Sequence, residues 1–382
     1  MLKMENSKDI LRNEIIEVMK SQGFLVNPHL RPMTKDKKTI REIHRQKRNE
    51  LIKAHKKFLL QNVRKAEIHS IDGHDLNPEK IKLELIEVKP NSFEASLFLW
   101  WNLSWWSLPY DKPIGRQMKF LLWDQHHNAP FGLIGLQSPP LRSSARDRFL
   151  GIDARENGYS SWINQSMYAQ RVGALPPYND LLGAKMVTLA LTSNEIRECY
   201  EKKYSNTTSL LERRVLPSRL LFITTTSAYG KSSIYARIMY EGQAVSRFIG
   251  FTAGIGTFHV PETLYEKMLL FLEAEGVNVR RGYGTGPSRK LELVTRAFNK
   301  LGIGSFTAHN IKRGHYLFEN VSNLQSVIHK NEEPSWHDRP FKNLAEFWKE
   351  RWCIPRSQRT QKWTQFSSED YFNSIKSLIT SL

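Results

Sequence analysis

Four side chains between Leu220 and His259 could carry acid–base chemistry: Ser227, Tyr229, Lys231 and His259. A hydroxyl, a phenol, an amine and an imidazole can together supply a nucleophile with proton donors and acceptors. Thr226 adjoins the first of them, and Tyr178 and Asn179 add polar groups upstream; these seven make a candidate core pocket. Spacing does not bring them together, so no catalytic role is assigned. A His259 buried and satisfied by hydrogen bonds is the competing reading. A second set is suited to anions: Arg280, Arg281, Arg289 and Lys290 around Gly282, Gly284, Gly286 and Ser288. The glycines let the backbone turn tightly and approach a ligand, and Ser288 can cap the helix that follows. Such a loop before a helix N-terminus can cradle a phosphate. It is not a G-x-x-x-x-G-K-[ST] loop, and a nucleotide site or a purely structural turn remain alternatives. The adjacent His126 and His127 point in different directions in any regular structure. No metal and no cofactor are expected.

Positioning these residues needs a sheet. Leu220–Thr226 is an apolar, β-branched run and reads as a buried strand. A polar turn follows; Ile234, Ile238 and Met239 then fall at helical spacing up to Gly242, and Val245–Thr252 reads as another strand. Upstream, Met118–Trp123 and Phe131–Leu136 read as a hairpin, with Tyr168–Val172 as a further strand. The rigid Leu175–Asp180 loop then opens a helix over Leu181–Leu191, a geometry that presents backbone N–H groups to an anion. Helices are also expected over 10–19, 264–275 and 291–301. Leu97–Trp106 carries Trp100, Trp101, Trp105 and Trp106, and such an aromatic stripe reads as core before it reads as a stacking surface. Arg146 and Asp147 read as a structural ion pair or as part of a site.

Charge is distributed unevenly. The chain carries a formal net charge of +18, and residues 31–65 and 277–315 hold 17 of those charges. Two basic blocks on a near-neutral body suggest a surface that faces a polyanion. The first block is expected to be one long helix over 34–66, capped by Thr34. Arg41, Arg45, Arg48 and Lys56 on it are candidate phosphate contacts; a solvated helix packed by its apolar stripe is the alternative. Two cysteines, Cys199 and Cys353, make no disulfide framework and fit a reducing cytoplasm. No signal peptide opens the chain, no stretch is apolar enough to span a bilayer, and no membrane partner is expected.

The motifs TTTSAYGKSSIYARIMY, GFTAGIGTFH and ALPPYNDLLGAKMVTLAL resemble the DruA family, as do IGRQMKFLLWDQ, GLIGLQSPP, RDRFLGID and FWKERWCIPRS. These pieces occur in one order over about residues 95–355. The resemblance implies a component of Druantia, a bacterial anti-phage defence system. It also implies partner proteins from the same operon, including a helicase-like protein. The order of elements resembles the GNAT acyltransferase topology, although PPYNDLLGAK departs from the GNAT pyrophosphate loop.

The expected architecture is therefore α/β (α+β). A central twisted mixed sheet flanked by helices is expected, GNAT-like in topology, with an N-terminal basic helical arm and a C-terminal helical extension. Residues 1–75 form the basic helical region, 76–275 the core, and 276–382 the glycine turn and aromatic extension. Binding of nucleic acid, DNA in the first place, is the favoured function. A GNAT-like enzyme acting on a small molecule or on nucleic acid is the alternative.

Overall fold

In the computed structural model the described residues are 2–27, 29–34, 36–105, 113–156, 158–209, 212–280 and 289–380. Seven strands form one mixed sheet: β1 (Leu83–Glu87), β2 (Gln117–Asp124), β3 (Ala129–Gln137), β4 (Ser166–Ala174), β5 (Phe222–Thr226), β6 (Arg247–Phe251) and β7 (Gly314–Glu319). Across the sheet they run β1, β2, β3, β4, β5, β7, β6. β4 and β5 pair in parallel, from Ser166↔Phe222 to Ala169↔Thr225; the other neighbours are antiparallel. The α/β expectation with a mixed central sheet holds.

Fourteen α-helices surround the sheet among the described residues: α1 (Leu2–Ser21), α2 (Lys37–Ala54), α3 (Lys56–Ile68), α4 (Phe93–Ser104), α5 (Ser144–Leu150), α6 (Tyr159–Asn164), α7 (Gly183–Ala190), α8 (Asn194–Tyr204), α9 (Glu262–Ala274), α10 (Arg289–Lys300), α11 (Leu324–Lys330), α12 (Phe341–Trp348), α13 (Ile354–Arg359) and α14 (Ser368–Thr380). No helix among the described residues is long and apolar enough to cross a membrane.

Alternation along the strands sends side chains to both faces of the sheet. Phe120, Leu122 and Ile134 pack with α7, α8 and α12 through Met186, Ile196 and Trp348. Leu121 and Leu133 face the other way, towards α3, α4 and α14. There Trp100 and Trp101 are fully buried, and Trp100 Nε1 donates to the Leu59 carbonyl at 3.1 Å. These two tryptophans are core, as their spacing suggested; Trp106 lies outside the described residues.

A further apolar core lies beside the sheet and joins distant parts of the chain. Leu11, Ile15 and Met19 of α1 and Ile40 and Ile43 of α2 pack with Leu264 and Met268 of α9 and Leu293, Val294 and Phe298 of α10. The basic arm is thus held by a core whose other half comes from residues 260–311.

Three local expectations are corrected. The single helix over 34–66 is two helices, α2 and α3, parted at His55. The His55 ring nitrogen Nδ1 pairs with the Leu51 carbonyl at 3.0 Å, and the His55 backbone leaves helical geometry at φ −110°, ψ 17°. Asp36, not Thr34, caps α2, accepting from the N–H groups of Lys38 and Thr39. The short helix expected around Ile234–Met239 is a turn, with Arg237 at φ +62° and the Ser232 hydroxyl accepting from the Ile234 N–H at 3.2 Å.

Candidate functional site

The turn after β5 is fastened to the start of β7. Ser227 N–H donates to the Gly314 carbonyl, and Gly314 N–H to the Ser227 hydroxyl, both at 2.8 Å. That hydroxyl donates in turn to the Gly230 carbonyl. Ser227 is buried, and its hydroxyl already serves as donor and acceptor within the turn. A Cβ on Gly314 would meet the Gly230 carbonyl oxygen at 2.7 Å, so the close approach of the two loops depends on that glycine. Just before the turn, Thr226 Oγ1 lies 2.7 Å from the Tyr168 hydroxyl.

Tyr229 and Lys231 point away from this knot. The Tyr229 phenol oxygen accepts from Arg41 Nε at 2.7 Å, and the Arg41 guanidinium sits 5.6 Å from the ring centroid. Lys231 is exposed, with its ammonium 4.6 Å from the centre of the Phe248 ring. The turn thereby joins α2 to the edge strand β6.

His259 lies deeper. Its Nε2 donates to the Phe306 carbonyl at 2.9 Å, its ring packs near Phe24 and Phe258, and burial pulls its pKa down to about 4. His309 and His44 flank the same Phe258 ring, with centroids 4.8 and 5.6 Å away. Burial, then the nearby Arg313, lowers His44 to about 3. These imidazoles are held neutral at physiological pH. Among the described residues no hydrogen bond joins His259 to Ser227, Tyr229 or Lys231.

Tyr178 and Asn179 lie elsewhere, on the loop ahead of α7, Tyr178 in the core and Asn179 half-buried. Tyr178 is fully buried against Phe131, its hydroxyl donates to Asp124 Oδ2 at 3.0 Å, and burial raises its pKa well above the ordinary phenol value. Asp124 also pairs with His127 Nδ1 at 2.6 Å. The loop ahead of α7 is covered by the C-terminal helices. Trp348 Nε1 donates to the Leu182 carbonyl at 3.1 Å, Arg356 Nε to the Asp180 carbonyl at 3.2 Å, and Lys362 pairs with the Asp180 carboxylate at 2.9 Å.

The basic candidates divide by what they already touch. Arg41 and Lys56 are exposed on α2 and α3. Arg45 is exposed and paired with Glu42 at 2.8 Å. Arg48 is half-buried, and burial lowers its pKa. In the second block Arg280 is exposed, Arg289 pairs with Glu292 at 2.8 Å, and Lys290 pairs with Glu262 at 2.8 Å and lies over the Tyr265 ring. Arg281, Gly282, Gly284, Gly286 and Ser288 lie outside the described residues.

A model of the family described as Druantia protein DruA matches residues 34–330. The chain belongs to the DruA family. It is 31% identical over 372 residues to Druantia protein DruA from Escherichia coli (strain UMEA 4076-1), covering 96% of this chain and 91% of that protein. No solved structure matches it. The DruA match takes in all seven strands, the knotted turn, the second basic block and the first from residue 34 onward; α1 and α12–α14 lie outside it.

Proposed function

We propose that this DruA-family chain is a component of a bacterial anti-phage defence system of the Druantia type and that it binds nucleic acid, DNA in the first place, through its two basic blocks. The defence role rests on family membership. The binding role rests on one observation: α2 and α10, which carry part of each block, share a single apolar core although more than 200 residues separate them. Blocks that merely kept the protein in solution would have no reason to be neighbours, whereas blocks serving one polyanion would. A helicase-like protein and further products of the same operon are the expected partners, in the cytoplasm. The test is a salt titration of fluorescence anisotropy on short labelled DNA. Binding whose log K falls by about 0.9 per neutralised phosphate on duplex, or about 0.7 on single strands, supports the reading. An absence of binding at low salt defeats it.

A GNAT-like enzyme is the second reading, favoured by the parallel β4–β5 pair. β4 continues through Gln170–Ala174 beyond its last register partner on β5, so the two parallel strands end out of step beside Thr226 and Ser227. Ligand sites favour such switch points. Against thioester chemistry stands the cover of Trp348, Arg356 and Lys362 over the loop ahead of α7. Calorimetric titration with acetyl-CoA checks this: measurable binding would revive the enzyme.

A further inference from the structure

β6 is an edge strand, and its outer end carries two exposed aromatic rings. Phe248 is 38% exposed and Phe251 45%. Three residues apart in a regular strand, they would point to opposite faces. Here the register slips: Phe248 faces Tyr316, Gly250 faces His315 and Phe251 faces Gly314, so one extra residue is accommodated between Phe248 and Gly250. That bulge restores parity and puts both rings on one face, with centroids 5.0 Å apart in an edge-to-face arrangement. Gly250, at φ +136°, takes up the backbone conformation the bulge requires.

Exposed rings of this size on an edge invite aggregation unless they are used. The surroundings indicate the use. Lys231 lies over Phe248, and Tyr229, two residues earlier, holds Arg41 of the first basic block. Residues 220–261 contain Glu241 as their one acidic side chain, against Lys231, Arg237 and Arg247. The bulge also spoils the edge for a polypeptide strand, which needs an even ladder. Rings flanked by cations and continuous with a basic helix suit unpaired bases that stack while their phosphates meet Lys231 and Arg41.

We propose that Phe248 and Phe251 form a stacking platform for single-stranded DNA, with Lys231 as its phosphate contact. The platform rests on the nucleic-acid reading above and adds the class of substrate: displaced or unwound strands rather than intact duplex.

The test uses the full chain, a labelled oligo-dT, the same oligomer with abasic sites in place of bases, and a duplex of equal length. Wild type should prefer oligo-dT to its abasic counterpart. Phe248→Ala/Phe251→Ala should weaken oligo-dT binding by about fivefold to 150-fold for each ring that stacks a base, since such stacking contributes roughly 1–3 kcal/mol per base. It should leave duplex and abasic binding unchanged, and Phe248→Trp should retain the affinity. Thermal denaturation establishes that the variants fold. Equal losses on all three ligands, or none on oligo-dT, would overturn the platform while leaving the basic-block reading intact. Wild type that binds none of the three would defeat both.

Discussion

Arg41 on α2 and Tyr229 in the turn after β5, 188 residues apart, meet through a 2.7 Å hydrogen bond from the guanidinium Nε to the phenol oxygen. The contact leaves the charge of Arg41 at the surface and sets its direction. Replacing Arg41 by Ala should lower the salt slope of DNA binding by about one unit, as loss of one phosphate contact does. Tyr229→Phe keeps the ring and the cation, so the slope should stay while affinity falls slightly. Anisotropy titrations over a range of salt separate the two outcomes, and equal slopes in all three proteins would remove Arg41 from the interface.

Arg289 and Lys290 are each held by a carboxylate of their own chain, Glu292 and Glu262. A DNA phosphate must compete with those partners. Glu262→Gln should therefore strengthen binding at low salt, with a larger effect on duplex than on abasic single strands. Arg289→Ala with Lys290→Ala should weaken binding and reduce the slope by about one to two units. The same titration reads both, and a double variant with the wild-type slope would exclude this part of the second block.

Neutral burial of His44 and His259 makes the fold acid-sensitive. Their pKa values fall from the ordinary 6.5 to about 3 and about 4. As the pH drops below 6.5 the unfolded chain protonates these imidazoles while the folded chain does not. Their contribution is thus complete above pH 6.5 and is lost progressively towards the folded values, on the order of 2 kcal/mol per imidazole by pH 5. Arg313 and His309 face the same cluster and reinforce the penalty on a new positive charge. His44→Phe should flatten the fall in Tm between pH 7 and 5. An unchanged acid limb would mean that other groups set the sensitivity.

Arg146 is 1% exposed and makes four hydrogen bonds: to Asp147, to the Pro140 and Leu141 carbonyls, and to the Tyr159 hydroxyl. It is structural. Arg146→Met would take the buried counter-charge from Asp147 and the side-chain donor from the Pro140 carbonyl, and should cost about 3–5 kcal/mol in chemical denaturation. A loss under about 1 kcal/mol would show that the pocket relaxes around the shorter side chain.

What the sequence made legible follows from how local each signal is. The β2–β3 hairpin, the β5 run and the tryptophan helix are each specified by their own residues, and each stands where its pattern put it. The break at His55 was hidden because no glycine or proline marks it; a ring bonding back to Leu51 does the work. The helical apolar spacing of Ile234, Ile238 and Met239 marks no helix face: Ile238 is buried, Ile234 and Met239 are exposed, and the backbone there is a turn. β7 escaped notice because its partners, β5 and β6, lie 60–100 residues upstream. Within the candidate pocket, Thr226, Ser227, Tyr229 and Lys231 share one turn through chain proximity, but the side chains diverge, Tyr229 to Arg41 and Lys231 to Phe248. That Tyr178 would bond to Asp124, and His259 to the Phe306 carbonyl, depends on contacts 54 and 47 residues distant. The Phe248–Phe251 step was unreadable because a bulge, not an alternation, creates it.

The core shared by α2, α9 and α10 also dictates an order of events during synthesis. Ile40 and Ile43 leave the ribosome early, but the residues that shelter them, Leu264 to Phe306, are made last but for the C-terminal helices. At about 5–20 residues per second the wait is roughly 10–50 s. Throughout it a cationic helix hangs from a translating messenger with its apolar stripe uncovered. The apolar stripe of α2 is therefore the part of this core left longest without its partners, until α9 and α10 are made.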